Sequence, residues 1–266
     1  MTKKELLDRC ASGGEERIVL ARVLDKAELA RDRGVPAHTH FLSPGERAAV
    51  ERMLAAWGPC RHVFFGGYEQ AERTICAFLP DWQGEDDVQD EESGPLSALA
   101  ATFPAEASLG HRDVLGALMG LGLTREKLGD ILFPAPGRCQ LVLLREAEPI
   151  LLSQWEGAGR WKVSLAPIAL SELQGQPPQV KVIRDTVATP RLDAVLAAGF
   201  SIPRSKAGDY IAAGRVAVNH RECLKGDRQV GQSDVLVCRG LGKCVVKEIL
   251  GQSKKGRTML VLERYI

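Results

Sequence analysis

The sequence predicts an α+β protein, and three observations lead to this class. The chain has 266 residues, enough for two domains or for one large domain with an appended module. Helix-like and strand-like hydrophobic patterns alternate along its central part. Basic and acidic residues are unevenly distributed along the chain, although the net charge is only +1.

Residues 1–58 are predicted to form a helical N-terminal region. Apolar residues recur at spacings of three and four over residues 4–33, and Gly34 ends that pattern. A second helix is predicted to begin after Ser43, because Ser43 can cap it and Glu46 completes a capping box.

Residues 59–175 are predicted to form a central α/β domain, because short strand-like and helix-like runs alternate there. The predicted strands are 61–65, 74–79, 96–103, 140–144 and 161–165, and the predicted helices are 111–121, 124–131 and 146–155. Six of the eight residues 85–92 are acidic, and this segment is interpreted as a solvated loop rather than a metal site.

The charge distribution predicts a separate basic domain at the C-terminus. Residues 1–180 hold 19 basic and 26 acidic residues, a net charge of −7, whereas residues 181–266 hold 16 and 8, a net charge of +8. Such a division indicates a polyanionic partner for the basic part. Gly175-Gln-Pro-Pro-Gln179, near the change of sign, has the composition of a linker. We therefore expect a linker over 176–188 and a basic domain over 189–266.

The composition favours a folded cytoplasmic protein. Hydrophobic residues make up 45% of the chain and charged residues 26%. The sequence has no run of about 18 apolar residues that could span a membrane, and its first residues lack the apolar stretch of a signal peptide. The seven cysteines do not have the spacing of a zinc site or a disulfide framework, so they are interpreted as small buried hydrophobic residues.

Motifs for common enzyme chemistry are incomplete in this sequence. His111-Arg112-Asp113 resembles a protein-kinase catalytic loop but lacks the following Asn and a glycine-rich nucleotide loop. Gly240-Leu-Gly-Lys243 lacks the spacing and the Ser or Thr of a phosphate-binding loop. We therefore predict a protein that is not an enzyme, with no catalytic residue, no cofactor and no metal ion.

Two short helices are predicted in the basic domain, over 191–199 and 203–213, each ended by a glycine. Arg204, Ser205 and Lys206 fall in the first turn of the second helix. Exposed backbone N–H groups and the positive end of the helix dipole already favour phosphate at this position. Two cations and a hydroxyl therefore predict an anion-binding site there.

This part of the chain resembles the S4 RNA-binding domain. The resemblance covers Arg191 to Lys243 and rests on the runs R-L-D-x-x-L, R-S-K-A-x-x-x-I-x-x-G-x-V-x-V-N-H and R-G-x-G-K. Pro203 and Cys238 depart from the usual pattern. The resemblance implies a helix pair with a small sheet that grips structured RNA. The residues expected to contact RNA are Arg191, Arg204, Ser205, Lys206, Arg215, Asn219, His220, Arg239 and Lys243.

Nearly the whole chain resembles the YlmH family of bacterial and plastid proteins. This wider resemblance rests on Gly66-Gly-Tyr-Glu-Gln-Ala-Glu-Arg73 and on the segment from His111 to Ile131. It implies a central domain similar to an RNA-recognition fold, and binding to ribosomal RNA and tRNA on a large ribosomal subunit that carries peptidyl-tRNA. It also implies a part in the rescue of stalled translation, known as ribosome-associated quality control. We expect a monomer that does not contact a membrane.

The motif around His111 leaves three interpretations open. Its residue types suit acid–base chemistry, but Asp113 and Asp130 can equally cap a helix or pair with neighbouring arginines. The third interpretation is a second RNA surface, formed by Arg112, Arg125 and Lys127.

Other functions remain as alternatives to a non-enzymatic RNA-binding factor on the ribosome. An RNA-modifying enzyme is one, because S4 domains are often attached to pseudouridine synthases and methyltransferases. A synthase domain would need more than the 73 residues that follow Asp193. Two further alternatives are an rRNA-binding assembly factor and an adaptor whose acidic loop 85–92 recruits a partner.

Overall fold

The computed structural model describes residues 2–175, 179–253 and 256–266, and the chain divides into two compact units, Met1–Gln176 and Pro177–Ile266. The division lies where the net charge changes sign along the sequence. Residues 176–178, the first part of the predicted linker, lie outside the described residues.

The first unit begins with helices that share one hydrophobic core. These are α1 (Lys3–Cys10), α2 (Gly14–Arg33) and α3 (Pro44–Trp57). Ser43 and Glu46 form the predicted capping box at the start of α3, and Gly34 ends α2 with a φ of +63°. The most buried members of this core include Leu20, Leu24 and Met53.

A small antiparallel sheet connects these helices to the central part of the unit. Its strands are β1 (Ala37–His38), β2 (His62–Phe65) and β3 (Ile75–Phe78), in the order β1-β3-β2. Cys76 and Phe78 enter the helical core, whereas Ile75 and Ala77 pack toward the central sheet. The sheet therefore combines residues from both sides of the expected domain boundary at 58/59.

The acidic segment 85–92 is more ordered than the predicted solvated loop. It contains the short helix α4 (Asp86–Gln89), whose Val88 is buried. Hydrogen bonds from Ser93 Oγ and from the backbone N–H groups of Ser93 and Glu92 lower the pKa of Asp90. Arg145 donates to backbone carbonyls at the end of the segment and just after it, at Glu91, Gly94 and Leu96.

The central part of the first unit has the element order β-α-β-β-α-β. Its elements are β4 (Leu96–Thr102), α5 (His111–Gly120), β5 (Leu128–Ala135), β6 (Arg138–Leu144), α6 (Glu148–Gln154), the hairpin β7 (Gly157–Ala158) and β8 (Trp161–Lys162), and β9 (Ser164–Ile168). The sheet is antiparallel in the order β5-β6-β4-β9. This ferredoxin-like topology confirms the expected similarity to an RNA-recognition fold.

Both faces of the central sheet are covered by the first unit itself. Leu99 and Leu141 pack on the side of α5 and α6, whereas Val142 packs with Phe41 and Ile75 on the opposite side. RNA-recognition domains stack bases on aromatic side chains of that opposite face. Strands β4 and β6 carry no aromatic residue, and the face is buried, so this sheet is not a base-stacking platform.

The helix predicted over 124–131 is wrong. Arg125–Lys127 form a single 3-10 turn, and β5 begins at Leu128. Pairing with β6 satisfies the backbone of this segment, and Gly129 would have weakened a helix. A β-carbon at Gly129 would lie 2.8 Å from Phe41 Cε1, so the glycine permits a close approach between this strand and Phe41.

The second unit contains a six-stranded antiparallel sheet with two helices on one face. Its elements are β10 (Val180–Val187), α7 (Leu192–Phe200), α8 (Arg204–Ala212), β11 (Val216–Val218), β12 (Arg221–Glu222), β13 (Val235–Cys238), β14 (Gly242–Gln252) and β15 (Thr258–Tyr265). The strand order is β10-β15-β14-β13-β11-β12. Leu192, Val195 and Leu196 on α7 and Ala207 on α8 are fully buried in the shared core, as the helical pattern predicted.

Two details of this unit differ from prediction. Residues 180–187 are not linker, because β10 pairs along its whole length with β15. Helix α7 ends one residue beyond the predicted stop, since buried Phe200 still belongs to it and Ser201 adopts the left-handed conformation. Gly199 instead permits close packing, because a β-carbon there would lie 2.7 Å from Cys244 Sγ.

Candidate nucleic-acid interface

A carboxylate in the first turn of α7 holds two of the predicted RNA-contact residues. Asp193 accepts hydrogen bonds from Arg204 Nη2 at 2.9 and 3.0 Å, and from Arg191 Nη2 at 3.1 Å and Nε at 3.3 Å. The side chain of Asp193 is 15% exposed, whereas those of Arg191 and Arg204 are 38% and 57% exposed. The two guanidinium groups therefore stay together while much of their surface faces solvent.

The two arginines keep Asp193 ionised. Desolvation of this carboxyl disfavours its charged form, but hydrogen bonds and charge from Arg191 and Arg204 outweigh desolvation and lower the pKa of Asp193. Because a carboxylate accepts from both guanidinium groups at once, it fixes their separation in a way that a neutral side chain could not.

The segment 223–228 is attached to the start of α7 beside this carboxylate. The N–H groups of Leu192 and Asp193 donate to the carbonyls of Arg228 and Gly226, at 2.8 and 3.0 Å. This attachment adds Lys225 and Arg228 to the basic side chains near Asp193. The sequence analysis did not include either residue among the expected RNA contacts, although the run K-G-D-R at 225–228 was the available signal.

The start of α8 has the features of the predicted anion site. Ser205 and Lys206 are exposed in its first turn, next to Arg204. Among the described residues, no side chain caps this helix start, and its first turn contains no acidic residue. The N-terminal N–H groups of α8 therefore remain open to an anion.

Other predicted contacts lie around the turn between β13 and β14. Arg215 Nη2 donates to the carbonyl of Arg239 at 2.8 Å, and the Arg215 guanidinium lies 4.8 Å from the centroid of the Tyr210 ring. Gly240, with a φ of +91°, leaves room for Arg215, because a β-carbon there would lie 2.8 Å from Nη2. Lys243 Nζ lies 4.2 Å from the ring centroid of Tyr265. Apart from Asn219 and His220, the predicted residues thus form one group around Asp193 and another around this turn.

Asn219 shapes the hairpin instead of presenting its amide to a partner. Asn219 and His220 form the turn between β11 and β12, with φ values of +50° and +64°. The Asn219 Nδ2 donates to Asp234 Oδ1 at 2.7 Å, and its Oδ1 accepts from the N–H of Val235 at 2.9 Å. Since both amide atoms are engaged within the unit, the predicted RNA contact by the Asn219 side chain is not supported.

Arg125 of the central motif and the neighbouring Arg73 are partly buried and donate to backbone carbonyls inside the first unit. Arg125 Nη1 donates to the carbonyls of Leu128 and Gly129 at 2.8 and 2.9 Å. Burial, together with the positive charge of Arg73, lowers the pKa of Arg125 to about 10. The Arg73 guanidinium donates to the carbonyls of Leu128, Phe41 and Arg125. These hydrogen bonds connect three separate segments of the chain.

Both aspartates of the motif have structural partners. Asp130 accepts from Tyr68 Oη at 2.8 Å and from the N–H groups of Glu72 and Arg73 at 2.7 and 3.2 Å. Asp113 Oδ2 accepts from the N–H of Gly110 at 2.9 Å, which caps α5. The cap-or-pair interpretation of these two carboxylates is therefore the one that the geometry favours.

The second RNA surface predicted from Arg112, Arg125 and Lys127 is not assembled. Arg112 is exposed on α5, Lys127 pairs with Glu146 at 3.1 Å, and Arg125 is turned toward backbone carbonyls. The pKa of His111 is lowered, mainly by burial. The positive charge of Arg125 lowers this pKa further, whereas the negative charge of Asp130 raises it.

A helix pair backed by a sheet, with basic side chains at the helix starts, defines the S4 class of RNA-binding domain. The S4 domain family model matches residues 190–236. The models "YlmH, N-terminal" and "Putative RNA-binding domain in YlmH" match residues 15–79 and 98–172. No helix among the described residues is long and apolar enough to cross a membrane.

The chain belongs to the YlmH family. It is 31% identical over 252 residues to the "Ribosome-associated protein quality control protein P2" of Bacillus subtilis (strain 168), covering 94% of this chain and 95% of the relative. A solved structure, "Cell division protein ylmH from Streptococcus pneumoniae", shares the fold with a TM-score of 0.51 and 20% identity. That match covers 61% of this chain and 96% of the other.

Proposed function

We propose that this protein is a non-enzymatic factor that binds ribosomal RNA and tRNA on a large ribosomal subunit carrying peptidyl-tRNA, and that it acts in the rescue of stalled translation. The name of the Bacillus relative and the S4 fold of the second unit support this proposal. The protein works in the cytoplasm as a monomer, without a cofactor.

The observation that carries the proposal is the arrangement of cations around Asp193. Arg191 and Arg204 are held side by side on a partly buried carboxylate, and the open start of α8 lies next to Arg204. Successive phosphates along an RNA backbone can contact both of these fixed cations at once, whereas a single small anion would contact fewer of them. The unit that contains them has a large positive net charge, which adds long-range attraction to RNA.

The test is co-sedimentation with ribosomal subunits of the intact protein and the double variant Arg204→Ala/Lys206→Ala, at low and moderate salt. We expect the wild type to migrate with free large subunits, and the variant to remain near the top of the gradient at moderate salt. In binding titrations, the loss of two phosphate contacts should reduce the salt dependence, log K against log salt, by about two units.

Arg9→Ala/Lys26→Ala is a matched control, because it removes two exposed cations from α1 and α2. This control should co-sediment like the wild type. If the Arg204→Ala/Lys206→Ala protein binds with unchanged affinity and salt slope, the start of α8 is not part of the interface. If the wild type itself stays at the top, association with the large subunit is refuted.

A further inference from the structure

Leu224 is a large hydrophobic residue exposed within the basic part of the second unit. It is 60% exposed and lies between buried Cys223 and exposed Lys225. This side chain leaves apolar surface in water, and packing against a ligand would bury that surface with a gain in free energy.

The backbone around Leu224 is fixed on both sides. On one side, the Cys223 N–H donates to the carbonyl of Val216 at 3.0 Å, and the Cys223 thiol donates to the carbonyl of Lys225 at 3.6 Å. On the other side, the carbonyl of Gly226 accepts from the N–H of Asp193. Leu224 therefore extends from an anchored segment, and ordering it in a complex costs little conformational entropy.

Cationic residues belong to the segment that carries this leucine and to the site that the segment contacts. A β-carbon at Gly226, two residues from Leu224, would lie 3.5 Å from Asp193 Cβ. The segment that carries Leu224 therefore lies against the carboxylate that binds Arg191 and Arg204, and it contributes Lys225 and Arg228 itself. The acids of this region are Asp193, which is engaged by both arginines, and Glu222 and Asp227, which are exposed.

From this geometry we infer that Leu224 packs its side chain against a nucleobase of the RNA while the surrounding cations bind the flanking phosphates. Proteins commonly place apolar side chains against exposed bases beside cationic groups that hold the backbone. Lys225 and Arg228 in the same segment, with the two arginines held on Asp193, favour a polyanion over a protein partner. This inference rests on the proposed function and adds a base contact to it.

The main test compares Leu224→Ala with Leu250→Ala, in which a 44% exposed leucine on β14 of the same unit is shortened. Each full-length protein is titrated with protein-free RNA extracted from the large ribosomal subunit, and separately with intact large subunits. We expect Leu224→Ala to weaken both interactions about three- to tenfold, from the loss of apolar burial. The salt slope should stay unchanged, because no phosphate contact is lost. Leu250→Ala should bind like the wild type.

A second variant reports the stacking directly. Leu224→Trp should retain binding, and the added indole emission, measured as the difference from the wild-type spectrum, should be quenched when RNA binds. Leu250→Trp supplies the control and should show no quenching. Thermal melts of all four variants should match the wild type, so that a loss of binding cannot be ascribed to unfolding.

The outcomes separate this inference from the proposed function. If the wild type binds RNA but Leu224→Ala binds equally well, the base contact is refuted and the proposed function stands. If Leu224→Ala loses affinity for intact subunits but not for protein-free RNA, its partner is a ribosomal protein and the inference is also refuted. If the wild type binds neither probe, the proposed function itself fails.

Discussion

Two pairs of arginines, one in each unit of this protein, are used in opposite ways. In the first unit, Arg73 and Arg125 donate to backbone carbonyls and connect separate segments of the fold. In the second unit, Arg191 and Arg204 donate to one carboxylate and keep much of their surface in solvent. The acceptors account for the difference between these two pairs. The carbonyls that accept from Arg73 and Arg125 lie inside the unit, whereas Arg191 and Arg204 share one carboxylate near the surface.

This comparison shows why neither a domain type nor a count of arginines is enough to locate an RNA interface. The central domain has the topology of an RNA-recognition fold, yet the face that would bind bases is packed against Phe41 and the strands of the small sheet. The second unit has a strongly positive net charge and leaves the start of α8 open. The groups that each cation contacts within its unit therefore indicate whether that cation stabilises the fold or is available to bind RNA.

Among the variants that distinguish the two regions, we expect Asp130→Ala to have the largest effect, a loss of stability of the first unit. This change removes the acceptor for Tyr68 Oη and for the N–H groups of Glu72 and Arg73. We expect the free energy of unfolding of the first unit to fall by about 3 kcal/mol, because several hydrogen bonds to a charged acceptor are lost. Chemical denaturation followed by tryptophan fluorescence measures this loss, since all four tryptophans lie in the first unit.

The salt slope of RNA binding should remain at the wild-type value in Asp130→Ala, measured at a temperature where the variant is folded. Glu106→Ala is a suitable control, because it removes an exposed acid from the same unit. A stable Asp130→Ala protein with a reduced salt slope would contradict the comparison, since it would place the central motif in the RNA interface.

A smaller effect is expected from Asp193→Ala in the second unit. Counting charges alone predicts tighter RNA binding, because the substitution raises the net charge by one. We expect the opposite, an affinity about three- to tenfold weaker, since Arg191 and Arg204 lose the acceptor that holds them side by side. Titration with protein-free large-subunit RNA measures the change.

Asp227→Ala provides the matched comparison, because it removes an exposed acid from the neighbouring segment. That variant should bind RNA as well as the wild type or slightly better. Tighter binding by both variants would mean that Asp193 acts only as a local negative charge and has no positioning role.

The sequence was informative wherever a local rule determines the structure. The capping box at Ser43 and Glu46 and the buried face of α7 follow from spacing alone, and the fold of the second unit follows from its motif. The strand at Leu128 could not be predicted in this way, because pairing with β6 decides it. Contacts distant in sequence were equally inaccessible, such as the attachment of Gly226 to Asp193, which adds Lys225 and Arg228 to the candidate interface.

The smallest effect is expected in the acidic segment of the first unit, with the triple variant Glu85→Gln/Asp86→Asn/Asp87→Asn. These side chains are exposed, and the variant keeps Val88 and the Asp90 hydrogen bonds that order the segment. We expect affinity for large subunits to change by less than about twofold at physiological salt, because salt screens solvent-exposed charges that make no direct contact with the RNA. Co-sedimentation and titration measure this affinity, and Arg204→Ala/Lys206→Ala is the variant expected to lose binding in the same experiment.

A triple variant that binds RNA normally but no longer joins large subunits would instead identify the segment as a docking element for a ribosomal protein. The contrast between the two units would then need a second contact surface, formed by acids rather than arginines.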